Sequence, residues 1–266
     1  MPCPSATLTV WASAWLAGAA APDDALDALA PWAQLHEVHA ADDATAEATS
    51  LPTLSNRPTT LTFLLAAIRR AAPRSPARLV LTAPGDVRGV PGPGVFTRAA
   101  IDAGEGVLFA EVNLPVGGLG IVPTAVADGV VRWTVYPVPE PGPPPEYVPI
   151  SQAERDLREQ VRQSASVLTS LGVARHRPGV REEIAAALRA RPESRWPGGM
   201  PSQPLRVLQQ ADEVEAILSA ALLDDGGALS ASAAGARREA LRPLETAVRV
   251  ARRAAVAEAV RVLAPA

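Results

Sequence analysis

The sequence predicts an α+β (or α/β) N-terminal domain with a small sheet, followed by an all-α helical bundle that ends in an antiparallel helical hairpin. Seven of the 13 residues from Pro137 to Pro149 are proline, which favours an extended spacer. Short branched apolar runs bounded by Gly and Pro precede this spacer, and long stretches with a 3.6-residue apolar period follow it. We therefore predict an α/β domain at 1–136, a linker at 137–149 and a helical bundle at 150–266.

In the N-terminal half, three helices are predicted at 6–18, 23–32 and 61–72. The third has Leu61, Leu64, Leu65 and Ile68 on one face and ends with two arginines, which suit the negative end of a helix dipole. Strands are predicted at 78–82, 106–112 and 130–135, where short branched runs lie between Gly and Pro. These strands predict a small mixed sheet packed by helices.

In the C-terminal half, helices are predicted at 152–171, 180–191, 205–223 and 231–263. The last two are joined by the turn-forming sequence DDGG at 224–227. Both carry apolar residues three and four apart, which predicts a coiled-coil-like seam. The seam residues are Leu208, Ala211, Val214, Leu218 and Ala221 on one helix and Leu241, Leu244, Val248, Ala251 and Ala255 on the other. Pro243 should either kink the final helix or set its start.

The composition is that of a folded protein, with 48% hydrophobic and 20% charged residues among 266. All 25 basic residues are arginine, which, with the many Ala and Pro residues, indicates a high-GC genome such as an actinobacterial one. The single cysteine, Cys3, excludes an intramolecular disulfide and a multi-cysteine metal site. No uninterrupted apolar stretch reaches membrane-spanning length. The sequence thus predicts a cytoplasmic protein with no membrane partner.

The two halves differ in charge. Residues 1–150 contain 14 acidic and eight basic residues, a net charge of −6, whereas 151–266 contain 14 acidic residues and 17 arginines, a net charge of +3. Opposite charges permit the two halves to dock on each other, so an external partner is not required to explain them.

The segment HEVHAADD contains His36, His39 and Asp42, whose nitrogen and carboxylate groups are the ligands that zinc or non-haem iron would need. The spacing is not that of the HExxH motif, and no third strong ligand is identifiable. A polar connection between a helix and a strand explains the same residues. We therefore keep these three as weak metal candidates and predict no metal site.

Two glycine-rich segments, 84–94 and 115–120, are candidate ligand loops, with Asp86, Arg88 and Arg98 as the polar residues of interest. Neither matches a P-loop or a dinucleotide-binding motif, and loop chemistry between strands is the simpler interpretation. No GxSxG motif is present, and Cys3 lies at the terminus. We predict no catalytic residue and no cofactor.

Arginines are the other candidate binding residues. They lie around a predicted turn between helices and on one face of the final helix, where they predict a partner-binding or anion-binding surface. They are Arg175, Arg177, Arg181, Arg238, Arg242, Arg249 and Arg253. Glutamates are interleaved among them and the pI is 5.7, which favours a solvated helix face or docking to the acidic half.

These observations predict a non-enzymatic cytoplasmic interaction or regulatory protein that uses its helical domain to bind a protein partner or a second copy of itself. The first alternative is nucleic-acid binding through the arginine-rich half. The second is a small-molecule enzyme or ligand binder that uses the Gly and Pro loops of the N-terminal half.

Overall fold

The computed structural model describes residues 3–113, 117–143, 145–170, 179–189, 195–222 and 231–265. They group into two compact units. The α/β unit consists of the described residues of 3–146, 195–200 and 256–265, and the helical unit of those of 147–189 and 201–255. The predicted fold class, a small mixed sheet with helices followed by a mainly helical part, is confirmed. No described helix has the length and apolar character needed to span a membrane.

A five-stranded mixed sheet forms the centre of the α/β unit. Its strands are β1 (Leu35–Ala40), β2 (Arg78–Leu81), β3 (Glu105–Phe109), β4 (Gly118–Ala127) and β5 (Val130–Val138). Their order across the sheet is β1-β5-β4-β3-β2, with β1 parallel to β5 and every other pair antiparallel. The outer edge of β1 is covered by the following segment, because Val38 and Ala40 donate backbone hydrogen bonds to the carbonyls of Thr59 and Pro52. This edge is thus shielded from further strand pairing.

One face of the sheet is covered by four helices: α1 (Pro4–Leu16), α2 (Pro22–Leu29), α3 (Asp43–Thr49) and α4 (Leu61–Ala71). Helix α1 is buried along nearly its whole length, including its hydroxyl side chains. Ser13 Oγ accepts a hydrogen bond from the backbone N–H of Ala77, and Thr7 Oγ1 accepts one from the Trp32 indole. These bonds satisfy polar groups that would otherwise be costly to bury.

The opposite face is covered by α5 (Val95–Ala103), whose Phe96 lies directly on the sheet. A Cβ added to Gly120 would come within 2.2 Å of the Phe96 ring, so only glycine permits this close approach. The glycine that suggested a ligand loop therefore has a packing role inside β4.

The helical unit is built from α6 (Ile150–Ser170), α7 (Val180–Arg189), α8 (Ser202–Leu222) and α9 (Ala231–Leu263), whose residues beyond 255 group with the α/β unit. Helices α8 and α9 run antiparallel, since Arg237 of α9 donates to the carbonyl of Ala221 near the end of α8. Ser164 of α6 donates to the carbonyl of Ala240, which joins α6 to α9. Pro243 lies inside α9 and does not set its start.

The helices at 61–72, 152–171, 180–191, 205–223 and 231–263 are found within three residues of the predicted bounds. The helix predicted at 23–32 ends at Leu29 and continues as a 3₁₀ turn, Ala30–Trp32. The sequence prediction missed α3, α5, β1 and β4. The segment LHEVHA, interpreted as a connection, is strand β1, and β5 continues to Val138, inside the range predicted to be linker.

Candidate interaction surfaces

The predicted seam between the last two helices is buried. Leu208, Ala211, Val214 and Leu218 of α8 are inaccessible, and Ala221 is half-buried. The matching residues of α9 are buried as well: Leu241, Leu244, Val248, Ala251 and Ala255. Because these side chains are already removed from water, a partner of the helical unit must use other side chains.

A buried arginine lies among the seam residues. The Arg252 side chain is only 5% exposed, and its Nη2 lies 2.5 Å from Asp212 Oδ1 and 2.9 Å from Glu215 Oε2. Burial by itself raises the pKa of the Glu215 carboxyl. The charge and the hydrogen bond of Arg252 are the largest effects in the other direction, and overall the pKa of Glu215 is lowered. The carboxylate therefore stays ionised and binds α8 to α9.

The arginines predicted to form a binding surface do not share one environment. Arg238 is exposed, Arg242 lies 3.1 Å from Glu239, and Arg249 and Arg253 are half-buried. Arg175 and Arg177 lie outside the described residues, as does the side chain of Arg181, whose backbone belongs to α7. An anion-binding role for these arginines stays a prediction.

Arginines of α6 are paired within their own helix. Arg158 pairs with Glu154, and Arg162 lies 2.7 Å from Glu159. Such pairs three or four residues apart neutralise charge locally and contribute little to stability when they are exposed to solvent. They leave less positive charge to attract a polyanion than the count of arginines implies.

The apolar stripe of α6 changes along its length. Ile150, Ala153 and Leu157 are buried in the first half, but Leu168 is only half-buried and Val167 is 43% exposed in the second half. In α8, the outward-facing Ile217 is 50% exposed. The helical unit thus presents large apolar side chains to solvent in addition to its buried seam.

The two histidines of β1 cannot bind one metal ion together. They are three residues apart in a strand, so their side chains point to opposite faces of the sheet. His39 is buried and its Nδ1 lies 3.0 Å from the Thr53 carbonyl, while Asp42 caps α3 by accepting a hydrogen bond from the Thr45 N–H. Among the described residues, no group of three His, Cys, Asp or Glu side chains is placed to hold a metal ion.

His36 is half-buried and contacts a core residue. Its Nδ1 accepts a hydrogen bond from the indole of the fully buried Trp133 at 3.1 Å, and its Nε2 lies 3.4 Å from the Ala30 carbonyl. Burial lowers the pKa of His36, and the hydrogen bond to Ala30 opposes that shift. The imidazole is therefore held in its neutral form.

The polar side chains of the first glycine-rich loop and of the start of α5 hydrogen-bond within this segment. Arg88 binds both oxygens of Asp86 at 2.7 and 2.8 Å, and Thr97 donates to the carbonyls of Pro91 and Gly92. Arg98 is exposed on α5. Asp86 and Arg88 thus stabilise a turn, which leaves this loop's ligand role a prediction.

Two family models cover most of the chain. The model described as Rv1486c-like protein, N-terminal domain, matches residues 5–147, and the one described as Rv1486c-like protein, C-terminal domain, matches residues 151–253. The chain belongs to the Rv1486c-like protein family. Its two family domains thus meet at residues 148–150, close to the start of α6.

Relatives in this family align over nearly their whole length. The chain is 38% identical to the uncharacterized protein Rv1486c of Mycobacterium tuberculosis, over 96% of each chain. It is 34% identical to the uncharacterized protein ML1804 of Mycobacterium leprae and 33% identical to MAV321 of Mycobacterium avium, again over 96% of each chain. No solved structure matches the chain.

Sequence reasoning missed two features of these surfaces. The ion pairs of Arg252 were not predicted. Two signals were present in the sequence: Arg252 lies between the seam residues Ala251 and Ala255, and α8 carries two acidic residues, Asp212 and Glu215. The exposure of Val167 was not predicted because periodicity identifies an apolar stripe but does not reveal how far along the helix neighbouring elements cover it.

Proposed function

We propose that this chain is a non-enzymatic, cytoplasmic interaction protein whose helical unit binds a protein partner through the outer sides of α6 and α8. The observation that carries the proposal is that Val167 and Ile217 are exposed although the apolar seam of the same unit is already buried. Tyr147, just before α6, is 64% exposed. Exposed aromatic and aliphatic side chains supply the anchors of protein interfaces.

Val167 and Ile217 lie at similar distances from the same end of the helical unit. Gln203, at the start of α8, donates to Glu154, near the start of α6, so both helices begin at the same end. Val167 follows Glu154 by 13 residues and Ile217 follows Gln203 by 14, which places both about 20 Å along their helices. Because Val167 and Ile217 lie at similar distances along α6 and α8, one partner could contact both residues.

Charge pairing supports a protein partner over nucleic acid. In the described helical unit, Arg158, Arg162, Arg242 and Arg252 each pair with carboxylates. Nucleic-acid binding requires basic groups available to phosphates and a steep dependence on salt. Fluorescence anisotropy with DNA and RNA at low salt tests that alternative, and tight binding that falls steeply with salt would contradict the proposal.

Site-specific photo-crosslinking in the native host tests the proposal directly. A photoreactive amino acid replaces Val167 or Ile217, and matched controls replace Ala165 or Ser219. Each control is exposed and two residues away, so it points to the other side of its helix. We expect the same protein adduct from positions 167 and 217 and at least tenfold less from 165 and 219. Equal yields at all four positions, or no adduct, would contradict the proposal.

A further inference from the structure

One segment of the acidic N-terminal half is basic throughout. Residues 48–85 contain five arginines and no acidic residue, whereas the remainder of residues 1–150 contains three arginines and 14 acidic residues. The basic segment includes α4 and the chain on either side of it. Charge is therefore segregated within the α/β unit.

Helix α4 places this charge on its outer face. Its inner face buries Leu61, Leu64, Leu65 and Ile68 in the core. We call the exposed residues on and just beyond the opposite side the basic face: Phe63, Ala66, Arg69, Arg70 and Arg74. Phe63 is 56% exposed, which is unusual for the largest apolar side chain of a surface helix.

The arginines of the basic face have no carboxylate partner in the described part of the chain. The guanidinium of Arg69 lies 5.3 Å from the centre of the Trp15 ring, and Arg70 donates to the Thr49 carbonyl and the Ser50 hydroxyl. These neutral contacts orient two guanidinium groups without neutralising them.

Helix α2 packs beside α4 on the same face of the sheet and carries the opposite charge. It buries Ala25, Ala28 and Leu29, and it exposes an acidic face formed by Asp23, Asp24 and Asp27. No ion pair joins this acidic face to the basic face within the described chain. Two neighbouring helices therefore present unpaired charges of opposite sign to solvent on the same side of the unit.

We propose that this surface forms a two-fold symmetric homodimer, in which the acidic face of each copy meets the basic face of the other. A two-fold rotation between α2 and α4 places α2 of one copy opposite α4 of the second, so one surface complements itself. Phe63 supplies an apolar contact, and Ala66 allows close approach. This surface belongs to the α/β unit and is distinct from the partner surface proposed on the helical unit.

The size of the surface sets the strength expected of the dimer. Helix α4 has 11 residues and is about 16 Å long, so two adjacent helices offer about 300 Å² per copy. Standard interfaces bury about 800 Å² per partner. The dimer should therefore form reversibly at high protein concentration, and it should weaken as salt screens its charges.

Complementary charge reversals test the proposal. Sedimentation velocity is measured over a protein concentration series at low salt for the full-length wild type, Asp27→Arg and Arg74→Glu. Each variant places like charges opposite one another in its own dimer, and we expect its dissociation constant to rise about tenfold or more. An equimolar mixture of the two variants restores both opposite-charge contacts, so it should dimerise at concentrations where either variant alone is monomeric.

Matched controls lie elsewhere on the α/β unit. Asp128→Arg, in the turn between β4 and β5, and Arg98→Glu, on α5 at the opposite face of the sheet, make the same charge changes and should leave the dissociation constant unchanged. Circular dichroism checks that every variant is folded. A wild type that stays monomeric, a dimer insensitive to both reversals, or a mixture no better than its components would overturn the proposal. A dimer lost only in Val167→Glu would place self-association on the helical unit instead.

Discussion

The two units of this molecule bury polar groups in different ways. The α/β unit buries neutral groups that hydrogen-bond across long sequence separations, as Ser13 does with the Ala77 N–H and Trp133 with His36. The helical unit buries charged groups, with Arg252 bound to two carboxylates and Glu154 bound to Arg158 and Gln203. Neutral hydrogen bonds thus satisfy these buried groups in the α/β unit, whereas ion pairs satisfy the buried charges of the helical unit.

This difference predicts unequal sensitivity to substitution. A neutral hydrogen bond contributes about 1 kcal/mol, but removal of one member of a buried ion pair leaves a charge without compensation. The helical unit should therefore be most sensitive where charges are buried. The stability of the α/β unit should be most sensitive to substitution where its core residues are most closely packed.

The largest effect is expected from Arg252→Met. The substitution leaves Asp212 and Glu215 without their buried partner and should lower the free energy of unfolding of the helical unit by about 3 kcal/mol. Urea unfolding followed by circular dichroism measures the change. Arg242→Met is the control, because its pair with Glu239 is exposed and should cost at most about 1 kcal/mol. Equal losses in the two variants would remove the distinction between the units.

A smaller loss is expected from Gly120→Ala. The added methyl group would overlap the Phe96 ring, and overpacking of this kind costs about 1–3 kcal/mol. Gly92→Ala is the matched control, since a Cβ there meets no atom within 4 Å. Tryptophan fluorescence during urea unfolding reports on the α/β unit, because all five tryptophans belong to it. If both variants unfold at the same urea concentration, the proposed contact of α5 with the sheet is wrong.

The smallest effect concerns pH. The pKa of His36 is lowered in the folded state from 6.5, so the unfolded chain takes up a proton at a higher pH than the folded chain. Stability of the α/β unit should consequently fall as pH drops below about 6.5, until the lowered pKa is reached. His36→Gln removes the titration and keeps an acceptor for Trp133, so its unfolding midpoint should change less between pH 6.5 and 5. Identical pH profiles would show that His36 does not contribute.

Helices with a strong apolar period were predictable from sequence. Leu64, Leu65 and Ile68 of α4 and the seam residues of α8 and α9 follow the 3.6-residue repeat, and all of them except the half-buried Ala221 are buried. Strand β1 was missed because LHEVHA has polar residues on both faces. Two of them are satisfied by β5, where Arg132 binds Glu37 and Trp133 binds His36. No local pattern reveals a partner 95 or more residues away.

Strand β4 was missed for another reason. Gly118, Gly120 and Pro123 indicate a loop in sequence, but Gly120 is required beneath Phe96, which lies 24 residues earlier in the chain. The candidate surfaces depend in the same way on tertiary contacts. Arginines could be counted from the sequence, but whether each one meets a carboxylate, a tryptophan ring or solvent depends on packing.

A crosslinking scan along α6 tests the proposed partner surface most directly. A photoreactive amino acid is placed at each exposed position from 162 to 170 in the native host. The proposed partner surface predicts adducts with a helical period, at 163, 167 and 170, and little adduct at 165 and 169 on the other side of the helix. Adducts spread evenly along α6, or confined to 165 and 169, would contradict it.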